Sequence, residues 1–86
     1  MAYSLGYKRS VARDLKALSK TDATRILDII EKELLKKPES NPMLKGKFAG
    51  LRKYRVGDIR VIYSIIGSEV RILRIANRKD VYRREI

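Results

Sequence analysis

The 86-residue sequence contains no cysteine, histidine or tryptophan, and only two prolines and five glycines. Without cysteine there is no disulfide framework and no thiolate metal site. Without histidine the commonest general base and the commonest metal ligand are both missing. Any chemistry falls to Lys, Arg, Tyr, Asp, Glu and backbone groups, and neither metal nor cofactor is expected. Long apolar runs are also lacking. MAYSLGYKRS does not resemble a secretory leader, and no stretch approaches the roughly 18 apolar residues of a membrane span. The chain is therefore expected in the cytoplasm, without a membrane partner.

What the sequence has in excess is positive charge: 21 Lys and Arg against 10 Asp and Glu, a net +11. Residues 1–43 contribute nine basic and six acidic side chains, whereas residues 44–86 contribute twelve and four. A field concentrated in one half favours a polyanionic partner, whether nucleic acid, acidic protein or anionic surface. The competing reading is a solubilising surface.

The length suits one small domain over residues 1–86. Tyr3–Tyr7 reads as a short strand. Ser10 is placed to cap a helix with Val11, Leu15 and Leu18 on one face. Ser19 or Thr21 is placed to cap a second helix with Ile26, Leu27, Ile29, Ile30 and Leu34 as its stripe; Lys36 and Lys37 suit its end and Pro38 stops it. From Lys47 the period becomes two. Phe48–Val56, Ile59–Ile66 and Glu69–Ala76 read as strands joined by turns at Gly57-Asp58 and Gly67-Ser68. The expected fold class is α+β, in the order β-α-α-β-β-β: a helical hairpin packed on a mostly antiparallel four-stranded sheet.

Side chains alternate across a strand, so Lys53 and Arg55 share a face, opposite Arg52, Tyr54 and Val56. Arg60, Ile62 and Ser64 alternate with Ile59, Val61 and Tyr63. Alternation alone does not decide which face of each strand is buried, because a bulge shifts the count. If Arg60 meets Lys53 and Arg55 across the hairpin, three cations converge, and their natural ligand is a phosphodiester. Each cation could instead extend to water at a sheet edge. Near the end, Tyr82 is either a packing aromatic or a phenol beside cations, able to stack on a base or move a proton.

The residues Leu44-Lys45-Gly46, Lys53–Tyr63 and Asn77–Tyr82, with the β-α-α-β-β-β order, resemble the RelE/ParE superfamily of toxins from type II toxin–antitoxin systems. The superfamily holds two activities: RelE-like members cleave mRNA in the ribosomal A site, and ParE-like members poison DNA gyrase. The RelE-like site residues fall on Lys53, Arg55, Arg60, Arg78 and Tyr82. The pair is Lys-x-Arg here, where some members carry Lys-x-Lys. Ala76-Asn77 replaces a common Gly-His.

The resemblance implies a metal-independent endoribonuclease in which the RNA 2′-hydroxyl attacks the adjacent phosphate. Lys53, Arg60, Arg78 and Tyr82 would be catalytic. Arg60 and Arg78 would stabilise the phosphorane, because a guanidinium is a poor base. Lys53 or Tyr82 would take the proton role. Arg55, Arg52, Lys45, Lys79 and Arg83 would bind RNA phosphates. The expected partners are the ribosome with its mRNA, and an antitoxin whose acidic, partly disordered segment covers the cations. The alternatives are a gyrase inhibitor and a non-catalytic nucleic-acid-binding module.

Overall fold

The structure is a computed structural model that describes residues 3–80, the side chain of Lys47 excepted. Strand β1 spans Ser4–Tyr7, helix α1 Val11–Lys16 and helix α2 Lys20–Lys32. Strands β2, β3 and β4 span Arg52–Val56, Ile59–Ile66 and Glu69–Asn77. The sheet order is β1-β4-β3-β2, with β1 parallel to β4 and the other neighbours antiparallel. This is the expected α+β order, with a single parallel pair at one edge.

Two hairpin turns set the registers of the last three strands. Val56 pairs with Ile59 and Ile66 with Glu69, leaving two-residue loops led by Gly57 (φ 60°) and Gly67 (φ 61°). A positive φ at the first turn position alone gives the II′ form, whose twist matches that of paired strands, and glycine adopts it without a side-chain clash.

One face of the sheet is covered by the helices. Val11 of α1, Ile26 and Ile30 of α2, and Leu34 pack against Ile59, Val61, Tyr63, Val70, Ile72 and Ile75, all buried. Leu15 and Leu18 add partly buried contacts.

Helix and strand ends differ from expectation. Ser19 caps α2, its Oγ accepting from the Asp22 N–H at 3.1 Å, so Thr21 is not the cap. Ser10 is itself helical and makes no side-chain cap; α1 grows instead from a turn in which the Val11 N–H donates to the Lys8 carbonyl. Helix α2 stops at Lys32 rather than near Lys37. A tighter 3₁₀ turn over Leu34–Lys36 follows and keeps Leu34 buried. Lys37 then leaves the helical region at φ −144°, ψ 65°, as the α region is disfavoured before proline, and Pro38 opens the next 3₁₀ turn. Strand β2 begins at Arg52, not Phe48. The Leu44 N–H donates to the Leu51 carbonyl and Met43 bridges Arg52, so residues 45–50 loop out.

Candidate nucleic-acid interface

The face of the sheet away from the helices carries Lys53, Arg55, Arg60 and Arg74. Across the hairpin, Lys53 pairs with Ile62 and Arg55 with Arg60; across the next pair, Arg60 meets Ala76 and Ile62 meets Arg74. Two rows therefore cross this open face, Lys53–Ile62–Arg74 and Arg55–Arg60–Ala76. The condition that alternation left open, Arg60 meeting the Lys53 and Arg55 strand across the hairpin, is met in the register, where Arg60 pairs directly with Arg55. Between the cations lies a small apolar patch, where Ile62 and Ala76 are buried beneath Leu44 and Leu51.

A β-bulge in β4 makes the second row. The pairing passes from Tyr63–Ile72 to Ile62–Arg74, leaving Leu73 without a partner. Unbroken alternation through Val70, Ile72 and Arg74 would aim Arg74 at the helices. The extra residue hands the core position to Ile75 and turns Arg74 and Ala76 to the open face.

Arg60 is half-buried and folds back on the hairpin tip, its Nη1 donating to the carbonyls of Gly57 (2.8 Å) and Ile59 (3.3 Å). Arg78 follows β4 and meets the same tip. Its backbone N–H donates to the Asp58 carbonyl at 2.7 Å, and its Nε lies 3.9 Å from the Asp58 carboxylate. The hairpin tip thus brings Arg78 to the end of the Arg55–Arg60 row. Lys79 is exposed beside it, its N–H held by the Asn77 side chain at 3.1 Å. Lys45 is exposed, one residue beyond Leu44 at the outer edge of β2. Tyr82 and Arg83 lie outside the described residues. Among the described residues, no carboxylate forms an ion pair with Lys53, Arg55 or Arg60; the ion pairs present are Lys32–Asp28, Arg71–Glu69 and Arg78–Asp58.

Arg52 is not brought to this face. It lies on the helix side, where its Nη1 donates to the carbonyls of Glu39 (2.9 Å) and Asn41 (2.8 Å). Beside it the Tyr63 hydroxyl donates to the Pro38 carbonyl and accepts from Asn41 Nδ2 at 2.9 Å. Burial holds the Tyr63 phenol above its ordinary value of 10.0; the Asn41 hydrogen bond and the Arg52 charge pull the other way without cancelling it. Arg52, Tyr63 and Asn41 form a clamp that fixes the loop leading into Leu44. Arg52 thus places its Nη1 on two loop carbonyls on the helix side, away from Lys53 and Arg55.

Alternation through Arg52 was sufficient to separate it from Lys53 and Arg55, but did not reveal its carbonyl partners. Arg74 was missed altogether. The signal for it was an arginine between Leu73 and Ile75 in an apolar strand, where a cation needs either a partner or a bulge.

A family model described as the ParE toxin of the type II toxin–antitoxin system parDE matches residues 5–82. Among solved structures, the chain is similar to the RelBE2 toxin–antitoxin complex from Mycobacterium tuberculosis, with 25% identity, a TM-score of 0.84, and coverage of 91% of this chain and 100% of the other. The archaeal RelE–RelB complex from Pyrococcus horikoshii OT3 is 31% identical, with a TM-score of 0.62 and coverage of 91% and 97%. The chromosomal ParDE system from P. aeruginosa is 24% identical, with a TM-score of 0.65 and coverage of 88% and 96%. No curated protein matches. No helix among the described residues is long and apolar enough to cross a membrane.

Proposed function

Because the chain belongs to the ParE toxin family of type II toxin–antitoxin systems, with its RelE/ParE fold, we propose that this toxin is a ribosome-dependent endoribonuclease that cleaves mRNA in the A site. The observation that carries this reading is the gathering of Lys53, Arg55 and Arg60 on the open face, with Arg78 held at its end by the hairpin tip. Cations facing one another across strands repel. A phosphodiester offsets that repulsion and accepts bidentate contacts from guanidinium groups.

RNA brings its own nucleophile. In-line attack by a 2′-oxygen on the neighbouring phosphorus forms the new P–O bond and breaks the bond to the 5′-oxygen, leaving a 2′,3′-cyclic phosphate and a 5′-hydroxyl. Arg60 and Arg78 stabilise the charge that builds on the phosphorane oxygens. Lys53 serves as the proton acceptor or holds the nucleophile's neighbourhood electropositive, and Arg55 anchors the adjacent phosphate. Lys45 and Lys79 extend the phosphate-binding edge. Tyr82, placed by family resemblance, supplies base stacking or proton transfer, and Arg83, next to it in sequence, a further phosphate contact. A site without histidine or a strong base gains most from a substrate already held in line, which is the ribosome's contribution. The partner that silences it is an antitoxin with an acidic, partly disordered segment covering the same cations. The toxin acts in the cytoplasm, where its target is.

A second reading, gyrase inhibition, is favoured by the description of the matching family itself. Primer extension on programmed ribosomes separates the two. Cuts within the A-site codon, absent on naked mRNA, support the nuclease; no cuts together with accumulating DNA breaks in cells support gyrase.

A further inference from the structure

Arg74 is 8% exposed. Its Nε is sealed from solvent and has no hydrogen-bond partner. A guanidinium stays charged at any physiological pH, and a buried charge is costly unless it is paired. Arg74 borders a cleft between α1 and the end of β4 together with Asp14 and Asp80, and neither carboxylate forms an ion pair with it. Asp14 accepts the Ile75 N–H at 3.0 Å. Glu69 is bound to Arg71 and Asp58 to Arg78. Among the described residues Arg74 has no ion pair.

Its position indicates what completes it. Arg74 stands directly across Ile62 from Lys53, in the row next to Arg55 and Arg60. Two strand spacings, about 9.6 Å, separate the backbones of Lys53 and Arg74, so the two cations flank the patch of Leu44 and Leu51 that covers Ile62 and would meet a chain crossing that patch from opposite sides. The bulge at Leu73 is the device that puts it there; without it Arg74 would compete with the core.

We infer that Arg74 is a phosphate ligand of the open face, a cation stored below the surface that is neutralised by the backbone of a bound RNA strand. This rests on reading the open face as an RNA site and extends it to a residue outside the family-derived set. The ligand is a phosphodiester rather than an acidic side chain because the cations lie in two adjacent rows, Lys53 with Arg74 and Arg55 with Arg60, which suits the successive charges of a strand better than a single carboxylate.

The test uses the full chain and a fully 2′-O-methylated RNA oligonucleotide, which binds but cannot be cleaved. Affinity is measured as a function of salt for wild type, Arg74→Met and Arg74→Lys. Arg74→Met should bind about tenfold or more weakly, and its log–log salt slope should fall by about 0.7, one phosphate contact. Arg74→Lys should keep the slope and lose part of the affinity. Without RNA, Arg74→Met should melt at the wild-type temperature or above, since an apolar residue replaces an unpaired buried charge. Affinity and slope within twofold of wild type would overturn the inference. So would an Arg74→Met protein that fails to fold while Arg74→Lys folds, because Arg74 would then have a structural partner. Unchanged RNA binding with weakened binding of poly-L-glutamate would overturn it in favour of an acidic protein ligand. If wild type does not cleave on ribosomes but the Arg74→Met binding defect holds, the nuclease reading fails and this inference stands. Cleavage by wild type with no binding defect gives the reverse.

Discussion

The two faces of the sheet are cut from the same strands, residue by residue. On β3, Ile59, Val61 and Tyr63 point to the helices, while Arg60, Ile62 and Ser64 point away. The helix face is apolar and buried. The open face sets cations opposite one another around a small apolar patch. The faces are not interchangeable: the one arginine of β2 on the helix side, Arg52, is held by the Glu39 and Asn41 carbonyls, and an unpartnered cation there would be costly. Stability is concentrated on one side, and the open face carries features that cost stability, which is what a functional surface looks like when function and folding conflict.

The contrast is most easily destroyed from the helix side. Ile72→Ala removes a fully buried side chain from the centre of the core. It should cost about 2–5 kcal/mol in chemical denaturation, a large part of the roughly 5–15 kcal/mol a domain has. Next comes the clamp that links the faces. Tyr63→Phe leaves the Pro38 carbonyl and the Asn41 amide unsatisfied and should cost about 1–3 kcal/mol. It also carries a pH signature. Because the folded-state pKa of Tyr63 is raised above 10.0, its contribution is complete below pH 10 and fades as pH rises through the folded value. The alkaline fall in stability should therefore be shallower in Tyr63→Phe.

From the open side the sign should reverse. Arg55 and Arg60 are direct cross-strand partners of like charge. Arg55→Thr should stabilise the fold by about 0.2–1 kcal/mol at low salt, an effect that fades as salt rises, while weakening RNA binding. The smallest effect belongs to Gly6→Ala. Its Cβ would meet Glu69 Oε2 at 2.7 Å, but that carboxylate ends a flexible side chain and its pair with Arg71 is exposed. A loss under about 1 kcal/mol is expected in thermal melts.

Much of this division was legible in the sequence. The turns at Gly57 and Gly67 and the shared face of Lys53 and Arg55 were readable, while the place of Arg60 opposite Arg55 followed only from the register. Ser19 carried a cap signal and used it. What was not legible depended on contacts distant in sequence. The partners of Arg52 lie 11 and 13 residues away, in a loop whose course no local pattern dictates. The early end of α2 reflects a change from α to 3₁₀ winding that keeps Leu34 inside, whereas periodicity only reported that Leu34 belongs inside. The bulge at Leu73 has no turn residue to announce it. Arg74 became visible only once Ile75, and not Arg74, was seen to complete the core.

Whether the open face is where phosphate is gripped can be tested by a paired measurement on one protein, Lys53→Ala with Arg78→Ala. A-site cleavage on programmed ribosomes is followed by primer extension, and thermal unfolding is recorded on the same sample. Cleavage should fall by at least about 100-fold while the melting temperature holds or rises. Wild-type cleavage by the folded double variant would contradict this assignment and place the phosphate elsewhere on the molecule.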